Sequence, residues 1–100
     1  MKEIIEQINR VFENKVRLGI MSALMVNESI DFISLRNLLG VTDGNLSSNI
    51  MVLEKLGFVK VRKRIIAKKT NTSFSLTAAG KRAFREHLSA LESLIRGMNE

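Results

Sequence analysis

Gly44, Asn45, Ser47, Ser48 and Asn49 form a cluster of small, uncharged residues, and all but the glycine can both donate and accept hydrogen bonds. An ordinary solvent-facing helix would carry Lys and Glu in their place. A polar face without bulk suits close approach to another surface, and the edges of bases in a major groove are one such surface. Asn45 and Asn49 stand four apart, so a helix sets them on one face, where either carboxamide could pair with adenine N6 and N7. Ser47 and Ser48 are unselective donors and acceptors. Asp43 would be repelled by phosphate, so helix capping, or acceptance from cytosine N4, is its better use, and capping is favoured. No Arg falls in this cluster, so no strong guanine contact is predicted from it. Lys55 follows later and would reach a phosphate at most.

The cations are segregated. Between Glu54 and Glu86 there is no acid, while Lys55, Lys60, Arg62, Lys63, Arg64, Lys68, Lys69, Lys81, Arg82 and Arg85 all fall there. The net charge is +6, so the rest of the chain is acidic on balance. Interspersed charge would serve solubility, whereas separation of this kind fits a polyanionic partner.

Other chemistries find little support. His87 is the only histidine and reads as a surface residue of a helix. No serine has a recognisable base partner, and neither a phosphate-cradling glycine motif nor metal-ligand spacing occurs. An enzyme is therefore not predicted, nor any cofactor. Without cysteine there is no disulfide framework or thiolate site. No apolar run suggests a signal peptide or approaches the roughly 18 residues of a membrane span, so a cytoplasmic protein away from membranes is expected. A chain of 100 residues with 45% hydrophobic content fits a single globular domain over 1–100.

The elements that must carry these groups follow from periodicity. Residues 2–12 read as a helix with Ile4, Ile8 and Val11 on one face and Ile5 and Phe12 beside them. Asn14 caps a second helix to Val26, whose Leu18, Ile20, Met21, Leu24 and Met25 suit a central position. Residues 29–32 suggest a short edge strand. A third helix runs to Leu39, with Phe32, Leu35, Leu38 and Leu39 inward and Gly40 ending it. Thr42 then caps a helix over about 42–56 whose Leu46, Ile50, Leu53 and Leu56 face inward, with Gly57 beyond its end. After Gly57 the period becomes 2: Val59, Val61 and Ile65 alternate with Lys60, Arg62 and Arg64, and Phe74 and Leu76 face inward on a second strand. The result is a basic hairpin over about 58–76 with a tip of about five residues. Thr77 caps a last helix, on which Phe84, Leu88, Leu91, Ile95 and Met98 form a seam of heptad spacing. At 1.5 Å per residue that helix spans about 30 Å, more than so small a core covers, and a second copy is the expected cover. Packing on the chain's own N-terminal helix is the competing arrangement.

The segment LRNLLGVTDGNLSSNIMVLEKLGFVKV resembles the recognition region of winged helix-turn-helix regulators, small prokaryotic repressors of the multiple-antibiotic-resistance and arsenic-repressor type. TSFSLTAAGKRAF is similar to the S-L-T-x-x-G exit of the wing in that superfamily, and the likeness covers about residues 14–95. The resemblance implies a mainly α fold with a small β-hairpin: an N-terminal helix (1–13), a winged-helix core (14–77) and a C-terminal dimerisation helix (78–98). It implies a transcriptional regulator that binds double-stranded DNA as a homodimer. Contacts to bases or phosphates would come from Thr42, Asp43, Gly44, Asn45, Ser47, Ser48 and Asn49. Backbone or minor-groove contacts would come from Lys55, Arg62, Arg64, Lys68 and Lys69. Ile4, Ile8, Val11, Phe84, Leu88, Leu91, Ile95 and Met98 would hold the dimer. Without cysteine, metal sensing through the arsenic-type thiolate sites is not supported. A small effector between the terminal helices and the core, near Met21, Met25, Phe84 and Met98, is conceivable but has no positive support. A winged-helix module for structured RNA or a protein is the alternative, although no Tyr or Trp offers a stacking platform.

Overall fold

The computed structural model describes the backbone of residues 1–99 and side chains through Gly97. The elements in order are α1 (Lys2–Glu6), a short 3-10 turn (Arg10–Glu13), α2 (Lys15–Met25), β1 (Ile30–Asp31), α3 (Phe32–Leu39), α4 (Asp43–Lys55), β2 (Val59–Ile66), β3 (Lys69–Leu76) and α5 (Ala78–Asn99). The helix expected over 2–12 is thus broken. Asn9 is extended, and its side chain accepts from the Val11 N–H, so the chain restarts as a 3-10 turn instead of continuing the α-helix.

Local signals explain the remaining boundaries. The Asn14 side chain accepts from the backbone N–H groups of Val16 and Arg17, and Asp31 accepts from that of Ser34. Ser34, through its hydroxyl first and its backbone N–H second, holds the Asp31 carboxyl below its ordinary pKa. Thr42 accepts from the Asn45 N–H. Gly40 adopts the left-handed conformation at the end of α3 (φ 64°), and Gly57 does the same after α4 (φ 77°). Thr77 acts twice: its hydroxyl accepts from the Gly80 N–H and donates to the Gly57 carbonyl, tying α5 to the end of α4. Gly80 is needed for packing, because a Cβ there would collide with the Phe58 carbonyl.

β1, β3 and β2 form an antiparallel sheet in that order, with Ile30 opposite Phe74 and Val61 opposite Phe74 across the other edge. Val59, Val61, Phe74 and Leu76 share the face that meets the helices. The core joins this face to Ile20, Met21 and Leu24 of α2, Leu35 of α3, Leu46, Ile50 and Leu53 of α4, and Phe84 of α5, with Phe12 stacked edge-on to Phe84. Four residues expected inward are not: Leu18 is 37% exposed, Leu38 65%, Leu56 47% and Ile65 81%. Leu38 and Leu56 sit at helix ends, and β2 runs beyond the core before it reaches Ile65. α1 packs along α5, with Met1 near Gly97 and Asn9 near His87. Among the described residues no helix is long and apolar enough to cross a membrane.

Candidate nucleic-acid interface

α3 and α4 are separated only by Gly40, Val41 and Thr42, and α4 presents its N-terminal half outward. Thr42, Asp43, Gly44, Asn45, Ser47 and Ser48 are all exposed, and open space surrounds the position a Gly44 side chain would take. Ser48 donates back to the Asn45 carbonyl at 3.1 Å. Capping falls to Thr42 rather than to Asp43. The Asp43 carboxylate instead accepts from Arg36 of α3 at 2.8 Å, an exposed pair that holds the two helices of the turn together. Asn49 departs from expectation: it does not lie on the outer face but is 9% exposed, with its carboxamide bonded to Arg17 and to Asn45. The outward stripe continues instead through Met51 and Val52, 53% and 38% exposed, to Lys55. Spacing places Met51 outward, four after Ser47 and four before Lys55, although its apolar type conceals it among polar candidates.

The hairpin stands beside α4. Its tip is tighter than the sequence suggests: Ile66 pairs directly with Lys69, leaving a two-residue turn of Ala67 and Lys68 with φ of 50° and 66°. The register sorts the cations. Lys60, Arg62, Arg64 and Lys69 share the face turned from the helices, Lys68 is in the turn, and Lys63 shares the helix-side face. Between α4 and the hairpin runs a groove of about 330 Å³ bordered by Ser47, Met51, Glu54, Lys63 and Thr72. Lys63 therefore belongs to the candidate surface, though no alternation rule marked it. A second groove, of about 580 Å³, runs between the outer sheet face and residues 24–29, with Lys60, Arg62 and Lys81 of α5 along it. Of the four residues that an effector pocket would have used, Met21 and Phe84 are sealed in the core, Met25 is half-buried at the edge of this second groove, and the Met98 side chain lies outside the described residues.

An exposed second helix of a helix-turn-helix, followed at once by a basic hairpin and a long closing helix, is a specific arrangement. The family model described as a winged helix DNA-binding domain matches residues 16–95. The chain belongs to that family. A structure of a transcriptional regulator homologue from Pyrococcus horikoshii OT3 is similar at 38% identity and a TM-score of 0.82, covering 99% of this chain and 96% of that one. An uncharacterised protein, MJ0432, from Methanocaldococcus jannaschii is 33% identical over 79 residues, 79% of this chain and 86% of its own length. PadR of Bacillus subtilis, solved in complex with operator DNA, shares the fold at 15% identity with a TM-score of 0.66, over 75% of this chain and 47% of that one.

Within this winged-helix chain the terminal helices divide their apolar residues. Phe84 is buried in the chain's own core, so it does not belong to a free seam. Ile4, Ile8, Val11 and Leu91 are half-buried, whereas Ile5, Leu88 and Ile95 are 54%, 43% and 62% exposed. His87 is not a surface residue. It is 3% exposed, and its Nδ1 accepts from the Asn9 N–H at 3.1 Å. Burial pushes its imidazole below the ordinary pKa, while Glu13 pulls it partly back. The sequence gives no sign of this bond, because the partner is 78 positions away and uses its backbone.

Proposed function

We infer that the chain is a sequence-specific regulator of transcription that reads double-stranded DNA as a homodimer. The observation that carries this reading is the exposed, bulk-free N-terminal half of α4 standing beside a cationic hairpin. In helix-turn-helix readers that half of the second helix meets base edges. Asn45, Ser47, Ser48 and Met51 supply hydrogen-bonding and methyl-contacting groups of suitable size. Arg64, Lys68 and Lys69 supply phosphate contacts from the hairpin, with Arg62 behind them and Lys63 and Lys55 on the flanks. Asp43 pairs with Arg36 through one oxygen, and the role assigned to it is to anchor that guanidinium rather than to read cytosine.

The test is selection of bound duplexes from a random pool. Two related half-sites about 34 Å apart are expected for a dimer. Replacing Arg64, Lys68 and Lys69 by alanine should weaken binding to all sequences alike. It should also flatten the log-affinity against log-salt slope by about 0.9 for each phosphate no longer neutralised. Replacing Ser47 and Ser48 should change the selected sequence and leave the slope. No enrichment at low salt, or stronger competition by folded RNA than by duplex, would overturn the reading. Phe12, Phe74 and Phe84 are buried in the core and Phe32 and Phe58 are half-buried against it, so no exposed row of rings offers RNA a stacking platform.

A further inference from the structure

A hydrogen-bond relay runs from α2 into the outer face of α4. Arg17 of α2 donates through Nε to the Val11 carbonyl at 2.7 Å and through Nη1 to the Asn49 Oδ1 at 3.0 Å. Asn49 Nδ2 in turn donates to the Asn45 carbonyl and to the Asn45 Oδ1, both at 2.9 Å. The chemistry dictates the orientation of both amides. A guanidinium has only donors, so the atom of Asn49 that faces it must be oxygen. The amino group of Asn49 then faces Asn45, and a backbone carbonyl, which can only accept, confirms that end. The side-chain atom of Asn45 beside the same amino group must therefore be its oxygen. Asn45 is exposed, and with Oδ1 turned toward buried Asn49, its Nδ2 is the end left to face outward.

We propose that Arg17 and Asn49 are positioning residues that fix Asn45 as a one-sided hydrogen-bond donor, so that Asn45 selects bases presenting an acceptor and rejects cytosine. The proposal rests on the reading of α4 as the helix that meets the bases. It departs from the usual asparagine pairing with adenine, in which Oδ1 and Nδ2 face the base edge together, Oδ1 accepting from N6 while Nδ2 donates to N7; here Oδ1 keeps a second lone pair but is turned toward Asn49. Here a guanine N7 or O6, an adenine N7 or a thymine O4 satisfies the outward amino group, and cytosine offers only its N4 donor. Arg17 and Asn49 touch no base themselves. Their contribution is to take rotational freedom from Asn45 before any duplex arrives.

The experiment measures competition among duplexes that differ at each pair of the best selected site, for the wild type, Asn45→Asp, Asn45→Ala and Arg17→Met. Asn45→Asp keeps one oxygen for Asn49 and turns an acceptor outward in place of the amino group. It should convert rejection of cytosine at one pair into preference for it, a reversal of about tenfold or more, the usual size of a single-pair effect. Asn45→Ala should level that same pair. Arg17→Met should level it as well while leaving the salt slope unchanged, because Arg17 contacts no phosphate in this scheme. Three results overturn the proposal: an unchanged preference in Asn45→Asp, a wild-type preference for adenine over guanine at that pair, or a salt slope flattened by Arg17→Met. Should Arg17→Met fail to fold by circular dichroism, the exposed Asn45→Asp decides alone. Wild-type protein that selects no duplex would instead sink the DNA reading, a result distinct from sequence selection that ignores Asn45.

Discussion

His87 ties the N-terminal segment to α5 only while its imidazole is neutral, because Nδ1 must keep a lone pair for the Asn9 N–H. The ring packs against both Phe12 and Phe84, and burial lowers its pKa from the ordinary value of 6.5. The unfolded chain therefore takes up a proton at higher pH than the folded one. In that window stability rises with pH: the contribution is fully present above about 6.5 and drains away as pH falls toward the folded pKa. Urea unfolding between pH 7.5 and 5.5 should show this loss, with a slope of no more than about 1.4 kcal/mol per pH unit for one proton. His87→Gln, which offers an acceptor oxygen without titrating, should flatten the dependence, and a flat wild-type profile would contradict it. At this scale the sequence was partly legible. Thr42, Asn14 and Thr77 are caps where their types and positions implied. Asn49 was misread although its place was legible: it stands three after Leu46 and four before Leu53, on the inward stripe, and only its partner, Arg17, 32 residues away, could not be read from the chain.

At the scale of elements, β2 and β3 extend past the core because cross-strand pairing and a tight turn suffice to hold them. Ala67 and Lys68 both have positive φ, as a two-residue hairpin turn that matches the twist of its strands demands. Neither is the Asn or Gly that such turns prefer, and each left-handed non-glycine residue costs about 1 kcal/mol or more. That mismatch is why the sequence suggested a longer, looser tip. Ala67→Asn relieves part of the cost and leaves every cation in place. It should slow hydrogen exchange of the Lys69 amide, which closes the pair with Ile66, by about threefold for a gain of about 0.7 kcal/mol. Ala67→Val should speed it, since a β-branched side chain tolerates positive φ poorly. Equal exchange in the two variants would mean that the turn does not hold its left-handed geometry in solution. The helix-turn-helix was far more readable than the hairpin tip, since four signals agreed there: the inward leucines, Gly40, Thr42 and Gly57. α1 was over-extended: it ends at Glu6, and Asn9, inside the span read as helix, is extended and caps the 3-10 turn instead.

At the scale of the whole molecule, the chain is longer than its mass requires. Its radius of gyration is 15.3 Å against about 13 Å for a compact chain of 100 residues, and its extents are 58 × 25 × 21 Å. α5 is one reason: 22 residues of helix run about 33 Å, beyond the reach of the core. α1 covers one side of its distal half, which explains why Ile4, Ile8 and Leu91 are partly buried within the chain. Leu88 and Ile95 remain open, seven residues apart on one face, with Ile5 also open on α1. In the dimeric reading, a two-fold axis through this face would bring each set against its own copy, as closed symmetric pairs do. Both arrangements drawn from the sequence are then combined, α1 packing within the subunit and α5 across it. Leu88→Glu with Ile95→Glu places like charges at the proposed contact while leaving the buried side of α5 untouched. Sedimentation should show the wild type as a dimer and this variant as a single chain. The thermal midpoint of the wild type should rise with concentration, and that of the variant should not. Binding to a duplex with two half-sites should fall toward the level of one half-site, because joining two readers multiplies their affinity only while they are joined. A wild type that sediments as a single chain at the concentrations where it binds would leave the exposed face of α5 without this role, and would make the two-half-site expectation fail with it.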